Sequence, residues 1–247
     1  MGETTIINIS RLTALQRKLD VVANNVANME TTGYRARQLT FQEYLSASKE
    51  NADPWTRKER PVSLVDAASA FASSSLGEIR PTGNPLDVAI HGDGYFIVQT
   101  EDGEALTRDG SFTLDADGRL VTKGGNPVLT DRGILTASAR DGELSIGLDG
   151  SVSNKKEILG RIRLVNFSGA VQVSQIGRNL LRAPTQPLDI KPGATKLIAG
   201  ALEKSNVQPA LEMAQLVETT RSYELVSSLL KSSQDTNDIN KLANVPE

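Results

Sequence analysis

The chain has 247 residues, of which 38% are hydrophobic, 23% charged and 4% aromatic, and this composition is typical of a globular protein that needs no disulfide or metal to hold its core. The absence of Cys and the presence of a single His exclude a thiol nucleophile and thiolate zinc sites and argue against any metal or cofactor. The 27 basic and 30 acidic residues are well mixed and no apolar run approaches the ~18 residues of a membrane span, which argues against nucleic-acid binding and membrane insertion.

The first predicted element is an amphipathic helix in residues 1–33. Its apolar residues recur at alternating spacings of three and four, which is the pattern of a helix that packs against another helix along one narrow stripe. The helix is expected to end at Thr31, Thr32 and Gly33, where two β-branched residues precede a glycine. Thr32, Gly33 and Tyr34 are expected to form the elbow that leaves the helix. The apolar residues, called the leucine stripe below, are Leu12, Leu15, Leu19, Val22, Val26 and Met29.

Three asparagines interrupt this helix at Asn24, Asn25 and Asn28. Asparagine is a poor helix former, so their grouping costs stability if they only face solvent. Polar side chains beside an apolar stripe fix the register of packed helices. We therefore favour a role for the three amides in recognising neighbouring helices, with solvated filler as the alternative.

The next segment, residues 34–80, is rich in Ser, Ala and charged residues and contains Pro54 and Pro61. These features predict an extended connector. More than half of the 20 glycines then lie between 77 and 150, where they separate short runs of strand-forming residues. Residues 81–185 are accordingly predicted to form a β-rich central domain with hairpins, and the proline-containing residues 186–204 a return segment.

A second amphipathic helix is predicted in residues 205–247. Ser205 or Asn206 is expected to cap it, with Pro209 in the first turn, where a missing N–H costs little. Its apolar face again shows spacings of three and four. That face comprises Met213, Leu216, Thr220, Tyr223, Val226 and Leu230.

The fold class predicted from this order is α+β, with the terminal helices pairing as a coiled-coil-like shaft around an inserted β-rich domain. Such narrow helices are marginal in water on their own and need partners. We therefore interpret the chain as an assembly subunit rather than an enzyme. The best acid–base candidate, the run that contains His91, Asp93 and Tyr95, has no nucleophile motif, and its glycines explain its spacing as a turn.

Three blocks of sequence resemble the bacterial flagellar rod and hook family. The first, Val22–Tyr34, reads Val-Ala-Asn-Asn-Val-Ala-Asn-Met-Glu-Thr-Thr-Gly-Tyr and is similar to the family's N-terminal signature, which is highly specific. The second resembles the central domain of the hook and longer rod proteins, and the third resembles the family's closing helix. The second block comprises residues 82–90, 94–96, 107–112 and 118–121, and the third comprises 205–207, 212–213, 218–219 and 221–224.

The resemblance implies a structural subunit of the basal-body rod that assembles with copies of itself and with other flagellar rod proteins. It also implies export through the flagellar type III apparatus into the periplasm without a cleaved signal peptide. Within the family, residues 73–81 lack the Phe-x-Gln-Gly run associated with distal rods, and residues 149–153 are more similar to the proximal type. A proximal rod protein is therefore favoured, with a distal rod protein as the alternative.

Two readings from other classes remain open on the sequence. A rod must cross the peptidoglycan layer, so a peptidoglycan-acting enzyme is one of them, although the central acidic residues lie mainly in turn contexts. A closed coiled-coil dimer that carries a β adaptor is the other.

Overall fold

The protein has an α+β fold with a helix at each end and a β-rich region between them, as the sequence predicts. The computed structural model describes residues 3–47, 61–73, 75–138, 142–154, 157–167, 174–177, 179–183, 186–191 and 195–243. In chain order the elements are α1 (Glu3–Ala27), β1 (Arg37–Ala47), β2 (Pro61–Ala72), β3 (Ile79–Pro81), β4 (Val88–His91), β5 (Tyr95–Thr100), β6 (Gly103–Thr107), β7 (Phe112–Leu114), β8 (Leu120–Thr122), β9 (Leu129–Thr130), β10 (Gly133–Ile134), β11 (Ser145–Ile146), β12 (Ser151–Ser153), β13 (Ile158–Arg161), β14 (Leu164–Asn166), β15 (Ser174–Gln175), β16 (Leu181–Arg182), β17 (Leu188–Asp189), β18 (Lys196–Ala199), β19 (Ala201–Glu203) and α2 (Pro209–Ala243).

The chain divides into two compact units. One, the helical unit, comprises Met1–Ala27, Arg37–Ala70 and Gln208–Glu247. The other, the central unit, comprises Asn28–Ala36 and Phe71–Val207. No helix in the described part of the chain is long and apolar enough to cross a membrane.

In the helical unit, α1 and α2 contact each other and β1 pairs with β2. The α2 helix starts at Pro209, where proline's fixed φ suits the first turn. The Gln208 carbonyl accepts the first intrahelical bond from the Glu212 N–H at 3.0 Å. The predicted cap is therefore wrong, and the Asn206 side chain instead accepts from the Ala36 N–H at 2.6 Å and donates to the Ser75 carbonyl at 2.7 Å.

The central unit is built on a six-stranded sheet in the order β15-β16-β6-β5-β14-β17. The predicted hairpins are present: β5 pairs antiparallel with β6, and β7 with β8. The main core contains Phe96 and Phe112, whose rings meet edge to face with centroids 5.1 Å apart. Each fully buried aliphatic or aromatic side chain contributes about 1.5–3 kcal/mol, so this unit has a substantial apolar core of its own.

The structure differs from the sequence prediction in the segments on either side of this core. Residues 34–80, predicted as a connector, contain the long strands β1 and β2 and most of β3. Pro61 opens β2, a position that tolerates a missing N–H, so it does not break the element. The return segment 186–204 contains β17, β18 and β19, which pair with β14, β4 and β3.

The apolar run at residues 158–167 forms two strands, β13 and β14. These strands belong to different sheets, because β13 pairs with β12 whereas β14 pairs with β5 and β17. Sequence alternation cannot reveal such a change of partner, because both strands carry the same pattern of apolar residues.

Candidate assembly surface

In the helical unit, α1 and α2 each bury a face that contains both polar and apolar residues. On α2 the buried residues are Glu212, Thr219 and Val226, which recur every seven residues and therefore lie on one face. On α1 the buried residues are Ala14, Val22 and Asn25. Of the leucine stripe within α1, only Val22 belongs to this buried face.

Asn25 lies near the end of α1 on this face and is 2% exposed. Its Oδ1 accepts from the Arg37 N–H at 2.8 Å, and its Nδ2 donates to the Arg37 carbonyl at 3.0 Å and to Glu212 Oε1 at 3.1 Å. The amide therefore pairs with the first residue of β1 as a neighbouring strand would, while it also holds the first turn of α2. Asn25 is thus engaged within the chain.

Glu212 is a buried carboxyl group with only one satisfied oxygen. Its Oε2 and the Thr219 Oγ1 are buried and have no hydrogen-bond partner among the described residues. Burial raises the pKa of Glu212, although the hydrogen bond from Asn25 opposes the shift. Unsatisfied buried polar groups cost stability, so the contact between the two helices is not optimised for the isolated chain.

Both helices also expose large apolar side chains. The exposed fractions on α2 reach 63% for Leu225 and 54% for Leu229. A helix that is apolar on its outward as well as its inward face is typically covered on both sides. The exposed set, called the outward face below, comprises Ile6, Ile7 and Ile9 on α1 and Leu211, Met213, Val217, Leu225 and Leu229 on α2.

The predicted site residues divide by burial and by unit. Asn28, Met29, Thr32, Gly33 and Tyr34 belong to the central unit, and the other twelve belong to the helical unit. The buried ones are Val22, Asn25, Gly33, Tyr34 and Val226; the half-buried ones are Leu12, Leu15, Leu19, Asn24, Val26, Asn28, Met29, Thr32, Leu216, Tyr223 and Leu230; and Met213 is exposed.

The end of the N-terminal signature packs inside the central unit. Tyr34 is 3% exposed and lies in a small core with Ala36 and Val207, against which Met29 packs. Gly33 adopts a φ of +67°, and its N–H donates to the Glu203 carbonyl at 2.7 Å. A Cβ at Gly33 would also meet the Arg108 backbone at 2.5 Å, so glycine is required both by conformation and by space.

A buried ion pair, which the sequence did not predict, anchors this segment. Arg108 and Glu203 are 1% and 3% exposed, and Arg108 Nη2 lies 2.7 Å from Glu203 Oε2. Glu203 Oε1 also accepts from the Gly77 N–H at 3.0 Å. The Glu203 residue therefore joins three stretches of chain through its carboxylate and its backbone carbonyl.

The remaining donors of Arg108 are satisfied by backbone carbonyls. Its Nη1 donates to Gly94 at 2.6 Å and to Gly92 at 2.9 Å. Burial lowers the pKa of Arg108, and the Glu203 carboxylate opposes that shift. In the sequence, Arg108 and Glu203 are each visible only as a charged residue at the end of a strand-like run. That pattern does not show which residue each of them pairs with.

The run that contains His91, Asp93 and Tyr95 and the acidic turn at Asp115 lie in the central unit. His91 and Asp93 are exposed. Asp115 accepts from the N–H groups of Asp117 and Arg119 at 2.9 and 2.8 Å, as a hairpin turn requires. The described residues contain no cluster of His, Cys, Asp or Glu that could hold a metal.

Three protein-family models match the chain. "Flagella basal body rod protein" matches residues 7–35, which include most of α1 and the signature that ends at Tyr34. "Flagellar hook protein FlgE/F/G D1 domain" matches residues 89–154 in the central unit. "Flagellar basal body rod FlgEFG protein C-terminal" matches residues 198–241, which include most of α2.

Curated relatives resemble the chain over nearly its whole length. A flagellar basal-body rod protein FlgF from Caulobacter vibrioides is 35% identical, with 95% of each chain covered. Another FlgF, from Mesorhizobium japonicum, is 31% identical over 96% of each chain. A flagellar basal-body rod protein FlgG from Bacillus subtilis is 34% identical over 92% of this chain and 93% of the relative.

Proposed function

This chain belongs to the family of flagellar basal-body rod proteins and is a structural subunit of the rod, and from that premise we propose that it builds the proximal part of the rod and joins its neighbours through its terminal helices. The observation that carries the assembly proposal is the outward face, because it exposes large apolar side chains on both helices. In an assembled rod, neighbouring subunits cover these side chains.

The proposed interface has an inner and an outer part. Val22, Asn25 and Val226 hold α1 and α2 together within one subunit in a coiled-coil-like pair. The rest of the leucine stripe in α1 is half-buried and continues the surface towards neighbouring helices. The proposed neighbour-facing residues are Leu12, Leu15, Leu19, Asn24, Val26, Met213, Leu216, Tyr223 and Leu230, together with the outward face.

Residues Asn28, Met29, Thr32, Gly33 and Tyr34 have a supporting role in this proposal. The buried contacts of Gly33 and Tyr34 fix the end of the signature within the central unit, and so give the chain leaving α1 a defined path. The domain boundaries predicted from the sequence, at residues 33, 80, 185 and 204, remain part of this proposal. In it the two terminal helices form the shaft.

We propose that the partners are other copies of this chain, other rod proteins and the flagellar type III export apparatus. In this proposal the protein works in the periplasmic rod as a structural subunit. The exposed apolar side chains of α1 and α2 support assembly-dependent ordering, because the helices gain further packing when neighbours cover them.

The proximal position is supported by the sequence of residues 73–81, which lacks the run associated with distal rods. Immunogold labelling of an epitope-tagged chain in isolated basal bodies tests this position. Gold particles at the base of the rod are the expected result. Particles beside the hook would instead identify a distal rod protein and would leave the assembly proposal intact.

A matched pair of variants tests the assembly proposal. Leu225→Asp places a charge on the outward face of α2, whereas Leu148→Asp places the same charge at a 69% exposed position in the central unit. In cells that lack the native chain, we expect Leu225→Asp to be exported but to abolish rods in electron micrographs, and Leu148→Asp to restore them. Normal rods from Leu225→Asp would refute the proposed interface.

A further inference from the structure

The chain passes between the two units at three stretches of the central unit. Residues 28–36 enter the central unit directly after Ala27 and leave it at Arg37. Residues 71–77 begin where the chain enters the central unit again, and residues 203–207 end where it leaves for the last time. These three stretches, called the junction below, are far apart in sequence but form hydrogen bonds with one another.

One side chain of the junction, that of Asn206, bonds to both of the other stretches. Its Oδ1 accepts from the Ala36 N–H at 2.6 Å, and its Nδ2 donates to the Ser75 carbonyl at 2.7 Å. The two bonds need an acceptor and a donor on one short side chain, which an amide has and a carboxylate lacks. The Ser73 N–H also donates to the Ala36 carbonyl at 2.8 Å, so the first two stretches are joined directly as well.

The junction holds the end of α1 close to the start of α2 along the chain. Met29, which follows α1 after a single residue, packs against the small core of Tyr34, Ala36 and Val207. Val207 is in turn separated by a single residue from Pro209, the first residue of α2. Both helices are therefore attached to one buried cluster by very short tethers. Such tethers give two attached elements a high effective concentration for each other.

The helix pattern by itself does not select a partner from the same chain. The leucine stripe and the apolar face of α2 share spacings of three and four residues, so by pattern alone α1 can pack against the α2 of its own chain or of another copy. In the structure, α1 contacts the α2 of its own chain, and Asn25 donates to Glu212 in the first turn of α2. A feature outside the two helices must therefore favour pairing within the chain when many copies are present.

We propose that Asn206 is a positioning residue that directs α1 to pair with the α2 of its own chain. Its amide closes the junction, and a closed junction keeps the tether between the two helices short. Opening the junction lengthens that tether, and the effective concentration of one helix for the other falls with tether length. The inference deepens the proposed assembly through the terminal helices, but it rests on the contact of α1 with α2 and not on the outward face.

Distances between two spin labels in the full-length chain provide the test. The chain has no Cys, so Thr13→Cys on α1 and Ser228→Cys on α2 place one label at an exposed position of each helix. Pulsed electron spin resonance then measures the label distance, alone and after about tenfold dilution with unlabelled chain. We expect one narrow distance that dilution does not change, because pairing within a chain is independent of concentration. A native chain without this narrow distance would overturn the proposal.

Variants of Asn206 test the positioning role. Asn206→Asp keeps an acceptor for Ala36 but cannot donate to Ser75, and Asn206→Ala removes both bonds without adding a charge. In both we expect the population at the narrow distance to fall by about half or more, and a part that changes on dilution to appear. Asn126→Asp, at a half-buried asparagine in another turn of the central unit, is the matched control and should behave as the native chain.

Amide exchange in β5 and β6 checks the fold of every variant and should stay within about twofold of the native rates. Leu225→Asp should keep the narrow distance, so a failure of the outward-face proposal is distinguishable from a failure of this one. A narrow distance that persists in both Asn206 variants, or that is lost only together with the protection of β5 and β6, would overturn the positioning role.

Discussion

Single side chains decide how the N-terminal signature is held in this protein. Asn25, one of the three grouped asparagines, forms hydrogen bonds with the backbone of Arg37 and with the carboxylate of Glu212. Gly33 and Tyr34 are fixed by the region around Glu203 and Val207. The signature therefore contains residues with strict internal roles, beside those proposed to face neighbouring subunits.

The Arg108–Glu203 pair yields a stability prediction. Removing one partner of a buried ion pair leaves an uncompensated charge, so Glu203→Gln should lower the free energy of unfolding of the central unit by about 3–5 kcal/mol. The control is Glu78→Gln, whose partner Lys204 is 3.9 Å away and whose side chain is 79% exposed. Urea denaturation should show a change within about 0.5 kcal/mol for the control. Equal effects of both variants would refute a special role for Glu203.

Glu212 yields a pH prediction. Its pKa is raised in the folded chain by burial, so its contribution favours folding at low pH and is lost as the pH rises through the folded-state pKa. Glu212→Gln keeps an acceptor for Asn25 but carries no charge. The variant should therefore match the native chain below about pH 4 and be more stable near pH 7.

Thermal unfolding followed by circular dichroism at several pH values measures this difference. A gain of about 1 kcal/mol at pH 7 corresponds to about 2–4 °C for a chain of this size. Glu218→Gln, an exposed glutamate on the same helix, is the control. A Glu212→Gln variant that is less stable than the native chain at pH 7 would contradict the unfavourable burial of this carboxylate.

At the scale of elements, the two helices are proposed to contact each other through their buried face and neighbouring subunits through their outward face. Val22→Asp places an unpaired charge at a position that is 3% exposed, whereas Ala23→Asp places it at the next, exposed position. We expect Val22→Asp to reduce the helical circular dichroism of the free chain and to prevent rod formation. Ala23→Asp should preserve the helical signal. Normal rods built from Val22→Asp chains would refute the proposed helix pair.

The helices and hairpins were predictable from local patterns. The spacing of Leu12–Val26 and the turn residues before Leu120 specify a helix and a hairpin without long-range information. The pairing of β1 with β2 was not predictable, because Pro61 and the Ser- and Ala-rich composition obscure the strands. The hydrogen bonds of the Asn206 side chain and the Arg108–Glu203 ion pair were not predictable either, because each joins residues that are far apart in the sequence. Periodicity relates only residues within one element.

At the scale of the whole molecule, the two units differ in where their apolar side chains lie. The central unit has an extensive apolar core that includes Val88, Phe96, Val98 and Leu120, all of them almost fully buried. The helical unit instead exposes an apolar outward face on both of its helices. Buried polar atoms without a hydrogen-bond partner among the described residues occur in both units, so they do not distinguish them. A structural subunit of a rod with this distribution is expected to complete its helical packing in the assembly.

Amide hydrogen exchange on the free chain and on isolated rods tests this claim most directly. In the free chain, amides of α1 and α2 should exchange at least about tenfold faster than those of β5 and β6, because local opening is easier where packing is incomplete. In rods, the helices should become as protected as the central core. Helices that are fully protected in the free chain and unchanged in the rod would contradict assembly through the terminal helices.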